Sequence, residues 1–191
     1  STLAIKDVSM KPYATPMGNQ EVTHLAVTLR QKVNDASNIK FAILKVAAST
    51  RQTPGKDNLP PYHNMLMAQM SLRFCVAAAL LGKPVKSYEY MRDHHHDPDV
   101  WDLAYRIQVV GEEGRRVAAL EVHLNNGKSV AIEEDRSHKW LPNTEDLKSL
   151  FETLATKSLG ARRVGEVIDI IMNLDKVKNI NELTAKISGW D

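Results

Sequence analysis

Residues 65 to 81 read MLMAQMSLRFCVAAALL, a helical stretch that is apolar on almost every side, and no other feature limits the possible folds as tightly. A helix with apolar residues all round must be enclosed by other elements rather than laid on a surface. Spanning a bilayer takes about 20 apolar residues, more than this stretch offers, so the enclosure is protein. Gly82 and Pro84 close the helix. Gln69, Ser71 and Arg73 interrupt the apolar run and need polar partners within the core.

The flanking sequence supplies the enclosing layers. In LAIKDVSMKPY, the loose alternation of Leu3, Ile5, Val8 and Met10 predicts a strand that ends at Pro12. GNQEVTHLAVTLRQKV predicts a helix with Asn19 as N-cap and Val22, Leu25, Ala26, Leu29 and Val33 on one face. IKFAILKVAAS predicts a second strand, and RQTPGKDNLPPYHN reads as loop because Pro and Gly punctuate it. YRIQVV and AALEVHLNNGKSVAIEED predict three more strands, the last two joined at the Asn-Gly pair by a primed hairpin turn.

Past residues 138–143 the pattern changes. Thr144 is placed as the N-cap of a run of three helices, in EDLKSLFETLAT, GARRVGEVIDIIMNL and NINELTAKI. The expected class is α+β: a small mixed sheet with helices over residues 1–138, then a C-terminal helical segment over 139–191. That segment forms a separate layer or domain, or covers one face of the sheet.

With 191 residues and 43% hydrophobic residues, the chain can build one or two real cores. Its net charge of +2 gives no field for a polyanion, and the short basic clusters GARR and GEEGRR lack interleaved aromatics, so nucleic acid is not an expected partner. No apolar stretch suits a membrane span, and the opening residues carry no leader-like run. A single cysteine, Cys75, excludes an internal disulfide and a cysteine zinc cluster. The expectation is a soluble, cytoplasmic chain; a mitochondrial matrix protein stripped of its transit peptide would look the same.

The segment MRDHHHDPDVW invites a metal reading. Ligation from a helix needs side chains on one face, whereas three consecutive residues point three ways. Asp97 as N-cap, Pro98 at the first helical position and Asp99 in the first turn give the stretch a structural reading instead. His94, His95 and His96 are therefore expected in the loop before a short helix, with no metal bound.

Two other segments carry more. VSMKPYATP sets a lysine at a strand end before a turn and helix, and AQMSLRFCVAAALLGKPV holds the buried helix. With DPDVWDLAYRIQVV and the NNGKS hairpin, their order resembles the second half of the MmgE/PrpD family, which includes 2-methylcitrate dehydratases, cis-aconitate decarboxylases and an iminodisuccinate epimerase. The resemblance implies a lid-type α+β domain, with the C-terminal helices packing on an all-helical first half that would be a separate chain or a missing segment. The expected oligomer is accordingly homo- or heteromeric. It also implies a site between the halves that works on a di- or tricarboxylate without metal or organic cofactor, removing a proton beside a carboxylate and losing water or carbon dioxide.

Carried over residue by residue, the K-P-Y motif falls on Lys11 and Tyr13, which would bind substrate, Lys11 as a point charge for a carboxylate. Ser71 and Arg73 either reach the cleft as further binding groups or are satisfied in the core. A family Thr-His pair falls near Asn19-Gln20, and His24, one turn later, is the substitute acid or base. Two departures count against standard catalysis: Pro16 stands where many members have a histidine or polar residue, and Phe74 where some have a tyrosine. A phenylalanine can neither donate nor accept a proton. A non-catalytic binding or assembly module that keeps the fold is the alternative.

Overall fold

The computed structural model describes residues 10–33, 35–133 and 143–188. The chain divides into two compact units, Ser1–Trp140 and Leu141–Asp191. In the first, a 3₁₀ turn at Met17–Asn19 leads into α1 (Gln20–Arg30), followed by β1 (Ile39–Ala47) and the short α2 (Ala48–Gln52). A loop then reaches α3 (Met65–Met70) and α4 (Leu72–Leu80), with α5 (Tyr88–Asp93) and α6 (Pro98–Tyr105) after them. The unit ends in β2 (Ile107–Glu112), β3 (Ala119–Leu124) and β4 (Ser129–Glu133). The fold is α+β, as the sequence predicts.

The four strands form one mixed sheet in the order β2-β1-β3-β4, with β1 parallel to β2 and antiparallel to β3. Alternation sets the faces: Ala42, Leu44, Val46, Ile107, Val109, Leu120 and Val122 point into the core. Helix α1 packs on α4 and also meets β3 and β4, while α4 packs on α6. Apart from Arg73, every residue of α4 is buried, which is the all-round burial its composition demands. On the opposite sheet face Phe41 and His123 stack, ring centroids 4.3 Å apart.

Several local expectations change. The strand expected from Leu3 lies largely outside the described residues, and Met10–Tyr13 are not strand. The single helix expected over 65–81 is two, because Ser71 takes an extended conformation with ψ 121°. The break leaves no polar debt. Ser71 caps α4 by accepting from the Phe74 N–H at 3.2 Å, and the Leu72 N–H donates to the Lys56 carbonyl at 2.9 Å. The Asn-Gly turn is not primed: only Gly127 has positive φ, 81°, and the Leu124 N–H donates to the Lys128 carbonyl across a three-residue loop. Asp97 caps α6 as expected, accepting from the Asp99 and Val100 N–H groups.

The second unit holds α7 (Thr144–Leu159), α8 (Ala161–Met172) and α9 (Asn181–Ile187). The N-cap of α7 is Asn143 rather than Thr144: its side chain accepts from the Asp146 N–H at 2.8 Å. Helix α8 contacts both α7 and α9, and its Val164 and Val167 are buried. Lys186 of α9 is bonded to Glu166 of α8.

Candidate functional site

Buried polar side chains are expensive, so where they collect is informative. Among the described residues the buried polar and charged ones are Thr15, Asn19, Gln20, Thr23, Lys56 and Ser71, and all but Ser71 meet in one corner at the start of α1. Gln20, the first residue of α1, clamps the loop before it. Its oxygen accepts from the Tyr13 N–H at 3.1 Å, and its amide nitrogen donates to the Tyr13 carbonyl at 3.0 Å and the Thr15 carbonyl at 2.8 Å. This fixes the Tyr13–Thr15 segment against the helix.

That clamp aims Tyr13 at His24. The Tyr13 hydroxyl lies 3.0 Å from Nδ1 of His24, one turn along α1, and the other ring nitrogen lies 3.2 Å from the Thr28 hydroxyl. Tyr13 is buried and His24 half-buried. A histidine held at both nitrogens has a set ring orientation. Lys11, two residues before Tyr13, is exposed. Of the sequence-predicted residues, Tyr13 and His24 are thus brought together, and Lys11 lies near them only along the chain.

Ser71 and Arg73 have other partners. The Ser71 hydroxyl is fully buried, donating to the Asn58 carbonyl at 2.8 Å and lying 3.1 Å from the Tyr62 hydroxyl. The Arg73 side chain, 12% exposed, holds Asp57 at 2.7 Å and donates to the Ile107 carbonyl on edge strand β2. Asp57 in turn takes Arg51 at 2.9 Å. Both residues thus tie α4 to the loop before α3, and Arg73 ties it to the sheet as well. Phe74 is fully buried against Tyr62, edge to face at 5.3 Å.

Sequence reasoning missed the deeper half of the corner. Asn19 stands at the N-cap position of α1, yet its side chain makes no capping bond. Its amide nitrogen donates to the carbonyls of Gln69 at 2.8 Å and Met70 at 3.1 Å, where α3 ends, and lies 3.4 Å from Cys75 Sγ. Its oxygen accepts from the ammonium of Lys56, a residue only 6% exposed. Burial pulls the Lys56 ammonium below its ordinary range, partly offset by the Cys75 sulfur. Burial likewise pushes the Cys75 thiol up to about 11. Nothing in PGKDN marks its lysine as buried; the one sequence signal was Asn19-Gln20, ahead of an amphipathic helix.

The histidine run holds no metal constellation. His94 stacks on Tyr90 at 5.2 Å, and His95 donates from Nδ1 to the Arg92 carbonyl at 2.8 Å. Among the described residues no group of His, Cys, Asp or Glu is arranged to bind a metal, and no helix is long and apolar enough to cross a membrane.

A two-layer α+β unit with a polar corner at the foot of its first helix, followed by a helical unit, defines the class. Residues 13–176 match the model of the MmgE/PrpD C-terminal domain, and the chain belongs to that family. Lys11 lies just ahead of the matched span. The chain is 23% identical over 158 residues to a cis-aconitate decarboxylase of Aspergillus terreus (strain NIH 2624 / FGSC A1156), covering 77% of this chain and 32% of that protein. A second cis-aconitate decarboxylase of Aspergillus terreus is 24% identical over 129 residues, 62% of this chain and 26% of that protein. The chain thus spans about a third or less of the length of these relatives.

Proposed function

We propose that this chain supplies one wall of a lyase site acting on a di- or tricarboxylate, with the opposite wall from a helical domain of the same family, as a separate chain or the missing part of a longer one. The observation that carries the reading is the Tyr13–His24 contact at 3.0 Å, a hydrogen-bonded pair whose tyrosine belongs to the K-P-Y segment of a chain in this family. Loss of water or carbon dioxide from such a substrate needs a proton moved beside a carboxylate and a cation to hold the charge that develops. His24 is the acid or base, Tyr13 orients it and binds substrate, and the exposed Lys11 meets a carboxylate as a point charge. Ser71 and Arg73, which the sequence reading placed with the substrate, act from behind by fixing α4. The chemistry needs no metal or organic cofactor.

The test begins with native mass spectrometry of the protein from its own source. A second chain of helical-domain size sends the pair to decarboxylation and dehydration assays with cis-aconitate and 2-methylcitrate. His24→Gln is then expected to cut turnover by about 10²–10⁴, the usual worth of a positioned acid or base. Lys11→Ala is expected to lower turnover with partner binding intact. Unchanged turnover in both variants would remove these residues from the mechanism. The second reading, a binding or assembly module without turnover, is favoured by Phe74, buried where some members have a tyrosine. A homo-oligomer of this chain alone, inactive on both substrates, would put that reading first.

A further inference from the structure

Lys56 is an ammonium buried without a carboxylate partner among the described residues, and its hydrogen bond to the corner goes to the Asn19 oxygen. That point is well chosen. Asn19 has committed its amide hydrogens to the Gln69 and Met70 carbonyls, and its own carbonyl accepts from the Thr23 hydroxyl at 2.7 Å. The side-chain oxygen is the remaining acceptor, and a charged donor bonds it roughly twice as strongly as a neutral one. Gln20 comes next in the chain and clamps Tyr13 and Thr15, and Tyr13 holds His24. A continuous run of contacts therefore joins a buried charge to the Tyr13–His24 pair through one peptide step.

We propose that Lys56 is a positioning residue for the Tyr13–His24 pair: by gripping Asn19 it fixes the first turn of α1, hence the Gln20 clamp and the direction of the Tyr13 hydroxyl. This rests on the reading of Tyr13 and His24 as the reacting groups. A residue that merely braced the fold would serve as well with an apolar side chain of the same volume, since isolated buried charge is costly. Gly18 adds a second handle. A Cβ there would come within 3.2 Å of the Lys56 ammonium, while the glycine has no positive φ to forbid alanine.

The experiment reads His24 directly, by long-range ¹H–¹⁵N spectra of the histidine rings in the full chain, with amide exchange at Tyr13 alongside. Wild-type His24 is expected in one tautomer. In Lys56→Met it is expected to show a mixture of tautomers, with Tyr13 amide exchange at least about ten-fold faster while the remaining amides keep their protection. A folded Lys56→Met with unchanged His24 lines and unchanged Tyr13 exchange overturns the proposal and leaves Lys56 a brace. Should Lys56→Met fail to fold, Gly18→Ala decides: the same signals move in the same direction by less, or the proposal falls. Turnover separates the two readings. Altered His24 lines in Lys56→Met, with no effect of His24→Gln on turnover, keeps the positioning role and sinks the catalytic one.

Discussion

Charge and burial pull against each other at single residues, and two of them give direct tests. Burial holds the Cys75 thiol at about 11, against the opposing influence of the Asn19 bond and the Lys56 charge. At pH 8 it is therefore a protonated thiol inside the core, and the thiolate is the reactive form. A disulfide reagent such as DTNB is expected to leave the folded chain unlabelled and to titrate one thiol once denaturant is added; prompt labelling of the native chain would contradict the burial. Asp97 is the opposite case. Its burial opposes ionisation, but the Lys83 ammonium at 2.8 Å and the Val100 and Asp99 N–H groups outweigh it, so its carboxyl sits below the ordinary 3.8. A depressed carboxyl contributes stability that is present above 3.8 and lost as pH falls through the lower folded value. Asp97→Ala should cost about 0.5–2 kcal/mol at pH 7 by urea unfolding, with the gap to wild type closing in acid below that range. The Asp97 cap was legible because its partners lie two and three residues away. Lys56 was not, because its partner lies 37 residues off and its own neighbours spell a loop.

Elements were legible where periodicity and burial agree. The alternation in IKFAILKVAAS gave β1, and the second half of the apolar run gave the buried α4, because in both the pattern is the packing. In α3 only Ala68 is buried and Leu66 is 63% exposed, so the first half is not enclosed as expected. What the pattern lacked was the break at Ser71, which is made by partners from elsewhere: Asn58 and Tyr62 for the hydroxyl, Lys56 for the Leu72 N–H, Asn19 for the carbonyls that end α3. Ser71→Ala should therefore not mend the helix. It strips a cap and orphans buried polar groups, and a loss of about 1–3 kcal/mol is expected in chemical denaturation. A stabilised variant with raised helix content would show that the break is imposed by the serine alone. The hairpin between β3 and β4 gives the matching test of a turn. Gly127 has φ 81° with open space around it, so the penalty in Gly127→Ala is backbone alone, about 1–2 kcal/mol. Asn-Gly announced a hairpin correctly but not its type, since Asn126 keeps negative φ and the loop takes a third residue.

At the scale of the whole molecule the two units differ in how well they bury their apolar side chains. The first closes a continuous core from α1, α4, α6 and one face of the sheet. The second buries Val164 and Val167 but leaves Leu147, Leu154, Ile171, Met172, Leu174, Ile180 and Ile187 between 37% and 58% exposed. Exposed apolar residues gathered on so few helices mark an interface more often than a free surface. A missing helical half would cover them under the proposed function, and the family, whose cis-aconitate decarboxylases are about three times longer than the aligned stretch, has the chain length to provide it. The consequence can be measured with Leu154→Asp and Ile171→Asp. Exposed positions tolerate substitution within about 0.5 kcal/mol, so both variants should fold and melt as wild type does. If those side chains are half of an inter-domain contact, a charge there has to be desolvated on assembly, and capture of the helical half in native mass spectrometry should be lost while the first unit keeps its stability. Capture that survives both substitutions would mean that the helical half binds the first unit, and the exposed apolar side chains of the second unit would need another occupant.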